Sequence, residues 1–150
     1  MKAVMLAVAA GLCWGIGELF TKSVLHTKQV GPITAITVRS TVALPVIWAA
    51  YAAAVYGVRS ESPRWYREAE TSTILKLVLG SGLIAGAAAM ICFYTALSLA
   101  EVSKVKPIAF TLAPACAVLL GWLVLGETMT VRKAVAVSLI LAGVLLLTGK

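Results

Sequence analysis

Trp14, Glu18 and Lys22 recur at intervals of four in a run of apolar and small residues that begins at Ala3. On a helix this spacing puts all three on one face. That face then carries an aromatic plate, an acid and a base. An acid and a base so placed can bind ionic groups, relay a proton or pair with another charge, and Trp14 offers a ring face to a cation. A further charge, Arg39, stands in the next apolar run. Covalent or hydrolytic chemistry finds no equivalent support. No pair of acids, histidine cluster or nucleophile–base set is visible, so no catalytic residue is assigned and an enzyme is not expected. Cys13, Cys92 and Cys116 lie far apart in apolar runs, there is no CxxC, and His26 is the sole histidine. Neither a metal, a cofactor nor a disulfide framework is expected from that set, and the thiols read as inert.

The composition decides the setting of these charges. The chain of 150 residues is 61% hydrophobic and 13% charged, where soluble domains run at roughly 45–50% and 25%. The mean hydropathy is +0.97. The expected fold class is therefore an all-α integral membrane protein, with the lipid bilayer as its solvent. The net charge of +7 would also suit nucleic acid. No basic stripe with interleaved aromatics exists, however, and basic residues mark the flanks of membrane spans; no nucleic-acid partner is expected. A single Lys2, an apolar run continuing to Phe20 and no clean cleavage site argue against a signal peptide.

A span needs about 20 residues. Five segments qualify, at about 3–25, 32–56, 74–100, 102–126 and 131–148, within a single domain over 1–150. None alternates as a strand would, and only helices satisfy their own backbone in lipid without closing a barrel. Three links are short, which makes neighbours antiparallel. The longest, 57–73, holds Arg59, Glu61, Arg64, Arg67, Glu68 and Glu70. Ser62-Pro63 would start a short surface helix there, with a plain solvated loop as the alternative. Trp65 and Tyr66 suit interface anchors.

Glu18 and Arg39 are each seven residues from the ends of helices joined by one short link. Both therefore lie about 10 Å deep at about 1.5 Å per residue. Matched depth makes them natural partners. An acid at the centre of a span costs roughly +2.5 to +3.5 kcal/mol, and pairing lowers that. Two readings are open: a static pair that fixes helix packing, or a water-accessible substrate or proton site. Lys22, Lys104 and Lys106 are shallower and can snorkel. Glu101 and Lys104 are spaced to pair, and Glu127 suits the positive end of the helix that follows it. Tyr94 is an aromatic residue within a span, suited to packing. Pro45 and Pro114 each remove a backbone hydrogen bond four residues back. Such kinks are either plain packing features or devices that line a site. Gly11 with Gly15, Gly82 with Gly86, and Ala134, Ser138 and Ala142 are small-residue faces that let helices approach.

Several stretches together make a resemblance. Tyr94-Thr-Ala-Leu97, then Glu101-Val-Ser-Lys-Val-Lys-Pro-Ile108, then Pro114, then Leu125-Gly-Glu127-Thr-Met-Thr130, then Leu139-Ile-Leu-Ala-Gly-Val144 resemble the EamA domain of the drug/metabolite transporter superfamily. Trp14-Gly15 with Lys22 is similar to the family's first helix, and Arg39 to a basic residue of its second. Most members carry two such domains and ten spans; this chain resembles the short five-span bacterial and archaeal type, one EamA-type repeat. The resemblance implies a secondary transporter of small metabolites or drugs in the cytoplasmic (inner) cell membrane. The substrate or ion pathway would then draw on Trp14, Glu18, Lys22, Arg39, Tyr94 and Pro114. The related small multidrug transporters couple protons through an acid in their first helix. Aligned through Lys22, that acid's position is held by Trp14, and Glu18 stands one turn later. Arg39 and Lys22 suit a carboxylate, Glu18 with Trp14 a cation, and a zwitterion such as an amino acid would use both. The alternative function is a non-transporting membrane subunit that packs with or regulates a partner.

Five spans would put the two ends on opposite sides, so one copy would lack the inverted repeat pair that many transporters use. Basic residues number seven on the N-terminal side (Lys2, Arg59, Arg64, Arg67, Lys76, Arg132, Lys133). They number five on the other (Lys22, Lys28, Lys104, Lys106, Lys150), with Arg39 set aside as intramembrane. That near balance gives only a weak preference under the positive-inside rule. A homodimer able to form antiparallel is expected, with the small-residue stripe of the fifth helix at the contact. A fixed orientation with an oppositely oriented partner is the alternative.

Overall fold

The computed structural model describes residues 1–148; Gly149 and Lys150, the latter one of the counted basic residues, lie outside the described residues. All of its regular structure is helical. Helix α1 spans Lys2–His26, α2 spans Pro32–Val58, and α3 is the single turn Trp65–Glu68. Helix α4 spans Thr71–Leu99, α5 Val102–Leu125 and α6 Val131–Thr148. Helices α1, α2, α4 and α5, of 25, 27, 29 and 24 residues, are long and apolar enough to cross a membrane. At about 1.5 Å per residue each exceeds a hydrocarbon core of about 30 Å. The fifth apolar segment forms α6, of 18 residues.

Local sequence explains where these helices begin and end. Pro32 opens α2 at its first position, where its missing N–H costs nothing. Helix α5 ends at Gly126, whose φ of +69° is strained for any residue with a Cβ. Both the Gly126 and Glu127 N–H groups then reach back to the Gly121 carbonyl, the second at 3.0 Å. The turn between Ser62 and Trp65 is held by Ser62, whose hydroxyl accepts from the Arg64 N–H at 3.1 Å. The surface helix of this link begins at Trp65, two residues beyond Pro63.

Two helices depart from α geometry. The end of α2, Ala53–Val58, and the middle of α4, Lys76–Ala88, widen so that hydrogen bonds skip one residue further. Gly86 sits in the widened part of α4, and a Cβ there would meet the Ser81 carbonyl oxygen at 3.3 Å. The glycine is thus fitted to its own helix backbone. Pro45 lies inside α2, and Pro107 and Pro114 inside α5.

The chain divides into two compact units, Met1–Ser98 and Leu99–Lys150. In the first, α1 turns its apolar side chains outward: Leu6, Leu12, Ile16, Leu19 and Phe20 are exposed, while its buried residues are Glu18 and Leu25. In water that distribution would be inverted; in lipid it costs nothing on the outside and hides the charge. The core of this unit is Leu25 of α1, Ile36 and Val55 of α2, and Phe93, Tyr94 and Leu97 of α4. In the second unit α5 packs on α6, with Val105, Ala115 and Gly121 of α5 buried.

Candidate functional site

Three helices of the first unit bring their polar residues together. Glu18 of α1 is 2% exposed, and Arg39 of α2 reaches it, Nη1 to Oε1, at 3.4 Å. The pair expected from matched depth is therefore made. The same Nη1 donates to the Tyr94 hydroxyl oxygen of α4 at 2.8 Å, and the guanidinium carbon stands 5.7 Å from the centre of the Tyr94 ring. Tyr94 is fully buried. Its oxygen lies 3.4 Å from Thr21 Oγ1, and Thr21 donates its own hydrogen to the Gly17 carbonyl at 3.1 Å. The donors settle into one direction. Arg39 donates to Tyr94, Tyr94 donates to Thr21, and Thr21 donates to α1. Such a chain polarises in the same sense at each step, which strengthens it in a low-dielectric surrounding.

Lys22, one turn beyond Glu18, donates from Nζ to the Leu97 carbonyl at 2.8 Å. Leu97 lies in the last turn of α4, where carbonyls have no helical partner, so the ammonium caps that end. Arg39 and Lys22 together hold α4 against α1 and α2 at two levels.

Beside this network is a cavity of about 330 Å³. Arg39, Tyr94 and Thr21 are its polar walls, and Phe20, Val24 and Val38 are among its apolar ones. The Arg39 side chain keeps 38% of its surface exposed there. An arginine head on an accessible wall inside apolar helices is costly toward lipid, and it can accept a bidentate anion.

The other sequence-derived residues fall elsewhere. Trp14 is 50% exposed, one turn before Glu18. Pro114 lines a separate cavity of about 190 Å³ in the second unit, between Thr111, Ala115 and Val118 of α5 and Ala136 and Ile140 of α6. Sequence reasoning does not single out Thr21; its position three residues after Glu18 is the available signal. The Glu101 carboxylate accepts from Ser103 Oγ at 3.4 Å, in place of the expected contact with Lys104. Lys106 lays its ammonium 5.1 Å from the Phe110 ring centre. Glu127 faces Lys133 Nζ at 4.0 Å. Among the described residues no group of histidine, cysteine and acids could hold a metal.

A family model, that of the EamA-like transporter family, matches residues 1–149. The chain belongs to the EamA-like transporter family. The match runs through both compact units, from α1 to α6. Neither a curated protein nor a solved structure matches the chain. Family and structure agree on a multi-pass, all-helical membrane protein of the drug/metabolite transporter type. In this EamA-like chain Arg39 of α2 and Thr21 of α1 meet Tyr94, within the first stretch that carried the resemblance.

Proposed function

We propose that this EamA-like chain is a secondary transporter of small metabolites or drugs, working by alternating access as a dimer in the cytoplasmic membrane. All five long helices, α6 included, cross the bilayer in this reading. The observation that carries it is Arg39, paired behind with buried Glu18 and open in front to the 330 Å³ cavity. A purely structural pair gains nothing from such an opening. The cavity walls offer a cation, Arg39, and the Thr21 hydroxyl, while Glu18 stays covered. A substrate carboxylate fits Arg39, and an amino acid or other small carboxylated metabolite is the favoured class. Trp14, Lys22 and Pro114 act on the pathway through helix placement.

The second reading is a membrane subunit that packs with or regulates a partner transporter. It is favoured by the polar atoms of Arg39 and Lys22 that are already committed to α4. Purified protein in vesicles, tested for uptake and efflux against amino acids, other carboxylates, sugars and cations, separates the two. Saturable flux that is lost in Glu18→Gln, with expression and folding kept, supports transport. No flux for any class, from protein shown to be folded and inserted, supports the subunit.

A further inference from the structure

A larger cavity, of about 630 Å³, opens between the second half of α2, the 59–70 link and the first part of α4. It shares no lining residue with the Arg39 cavity. Trp48 and Tyr51 of α2 and Trp65 and Tyr66 of α3 line it, together with one carboxylate, Glu61. The rings stand edge to face in two pairs: Trp48 with Tyr51 at 5.5 Å and 90°, and Trp65 with Tyr66 at 6.1 Å and 88°. Edge-to-face pairing leaves ring faces available. Tyr66 already receives one cation in this way, with the Arg67 guanidinium carbon 5.6 Å from its centre. Arg59, Arg64 and Arg67 flank Glu61 in sequence, yet Glu61 makes no ion pair or hydrogen bond with them or with any other described residue.

The chemistry selects a ligand. Aromatic faces attract cations through the ring quadrupole, most strongly for Trp, and need no hydrogen-bonding hydrogen from them. The single carboxylate supplies the opposite charge and would repel an anion. A neutral apolar molecule would leave that carboxylate unused. Trp and Tyr also gather at the headgroup level of membranes, where ammonium-bearing headgroups are found. We propose that this pocket binds a quaternary ammonium group of the choline type, either free or as a lipid headgroup.

Equilibrium dialysis of labelled choline against the full chain in maltoside micelles tests this. Saturable binding is expected, displaced by tetramethylammonium and not by 3,3-dimethylbutanol, the neutral carbon isostere of choline. Glu61→Gln and Trp65→Leu, both at exposed positions, should each weaken binding about tenfold or more while keeping the melting temperature of the parent. Glu18→Gln should leave choline binding intact even where flux is lost. Phosphatidylcholine doped into the micelles assigns the source: competition identifies the lipid headgroup, and retained choline binding without competition identifies a free amine. Absence of saturable binding, equal displacement by the neutral isostere, or full binding by Glu61→Gln overturns the proposal and leaves these rings as interface anchors.

Discussion

Arg39 lies closer to Tyr94 than to Glu18: its Nη1 is 2.8 Å from the phenol oxygen and 3.4 Å from the carboxylate. The acid balances the charge from behind, and the phenol fixes where the guanidinium points. Hydrogen bonds to charged groups contribute about 1.5–3 kcal/mol. With the Arg39 side chain 38% exposed, the low end applies. Tyr94→Phe should therefore cost roughly 1.5 kcal/mol, read as a lower melting temperature in detergent. It should also depress flux more than binding, because the ring still fills its site while the arginine loses its orientation. An unchanged melting temperature would show that the 2.8 Å contact contributes nothing.

Removal of either partner of the ion pair should not be symmetric. Breaking a buried pair costs about 3–5 kcal/mol because a buried charge is left behind. Arg39→Gln takes the guanidinium away from a carboxylate that is 2% exposed, whereas Glu18→Gln leaves a guanidinium with 38% of its surface open. Arg39→Gln should thus lower expression and thermal stability, and Glu18→Gln should keep both while abolishing transport. Collapse of folding in Glu18→Gln would favour the static-pair reading.

How much of this was legible in the sequence depended on the element. The helices follow the apolar runs because composition alone forces them in lipid. The Glu18–Arg39 contact followed from depth, since one short link gives both helices a common zero. Tyr94 could be named but not placed, because nothing in sequence fixes the rotation of α4 relative to α1 and α2. Thr21 was missed for the same reason: its partner is 73 residues away. The commitment of Lys22 to the end of α4 was also beyond reach, as was the widened geometry of Lys76–Ala88. The first depends on which carbonyl at the end of α4 faces α1 in the folded unit.

The Leu125-Gly126-Glu127 junction can be tested through Gly126 and through Gly121, whose carbonyl it reaches back to. Gly126→Ala puts a Cβ at φ +69° and should cost about 1–2 kcal/mol. Gly121→Ala puts a Cβ 3.0 Å from Glu127 Oε2. There the neighbour is the end of an exposed, flexible side chain, so the cost should be smaller, and Glu127→Ala should remove it. Melting temperatures of the three single variants and the Gly121→Ala/Glu127→Ala double variant check this. Equal costs at both glycines would show that backbone strain at Gly126 is not what ends α5.

Pro114 borders the cavity between α5 and α6, where a proline removes one helix hydrogen bond beside open space. Pro114→Ala should slow transport several-fold while leaving stability level or higher, since alanine is the better helix former by about 3 kcal/mol in helix interiors. Parallel measurement of flux and melting temperature decides the point. A loss of stability matched to the loss of flux would make Pro114 a packing residue.

The last prediction concerns orientation. If α6 crosses together with the four longer helices, the two termini face opposite sides, and the substrate site of an inverted-repeat transporter lies between two oppositely inserted halves. Seven basic residues on one side against five on the other leave little to choose between orientations under the positive-inside rule. Three of those five are also constrained by what they touch or by where they lie. Lys22 is held by the Leu97 carbonyl, Lys106 lies over Phe110, and Lys104 is in the first turn of α5. Their weight as topology signals is correspondingly reduced. The expected state is an antiparallel homodimer, with Ala134, Ser138 and Ala142 of α6 at the contact. Cysteines introduced at each end and labelled from outside in intact cells should both react, each in about half of the molecules. Reaction confined to the C-terminal cysteine would rule out the antiparallel homodimer and require an oppositely oriented partner protein.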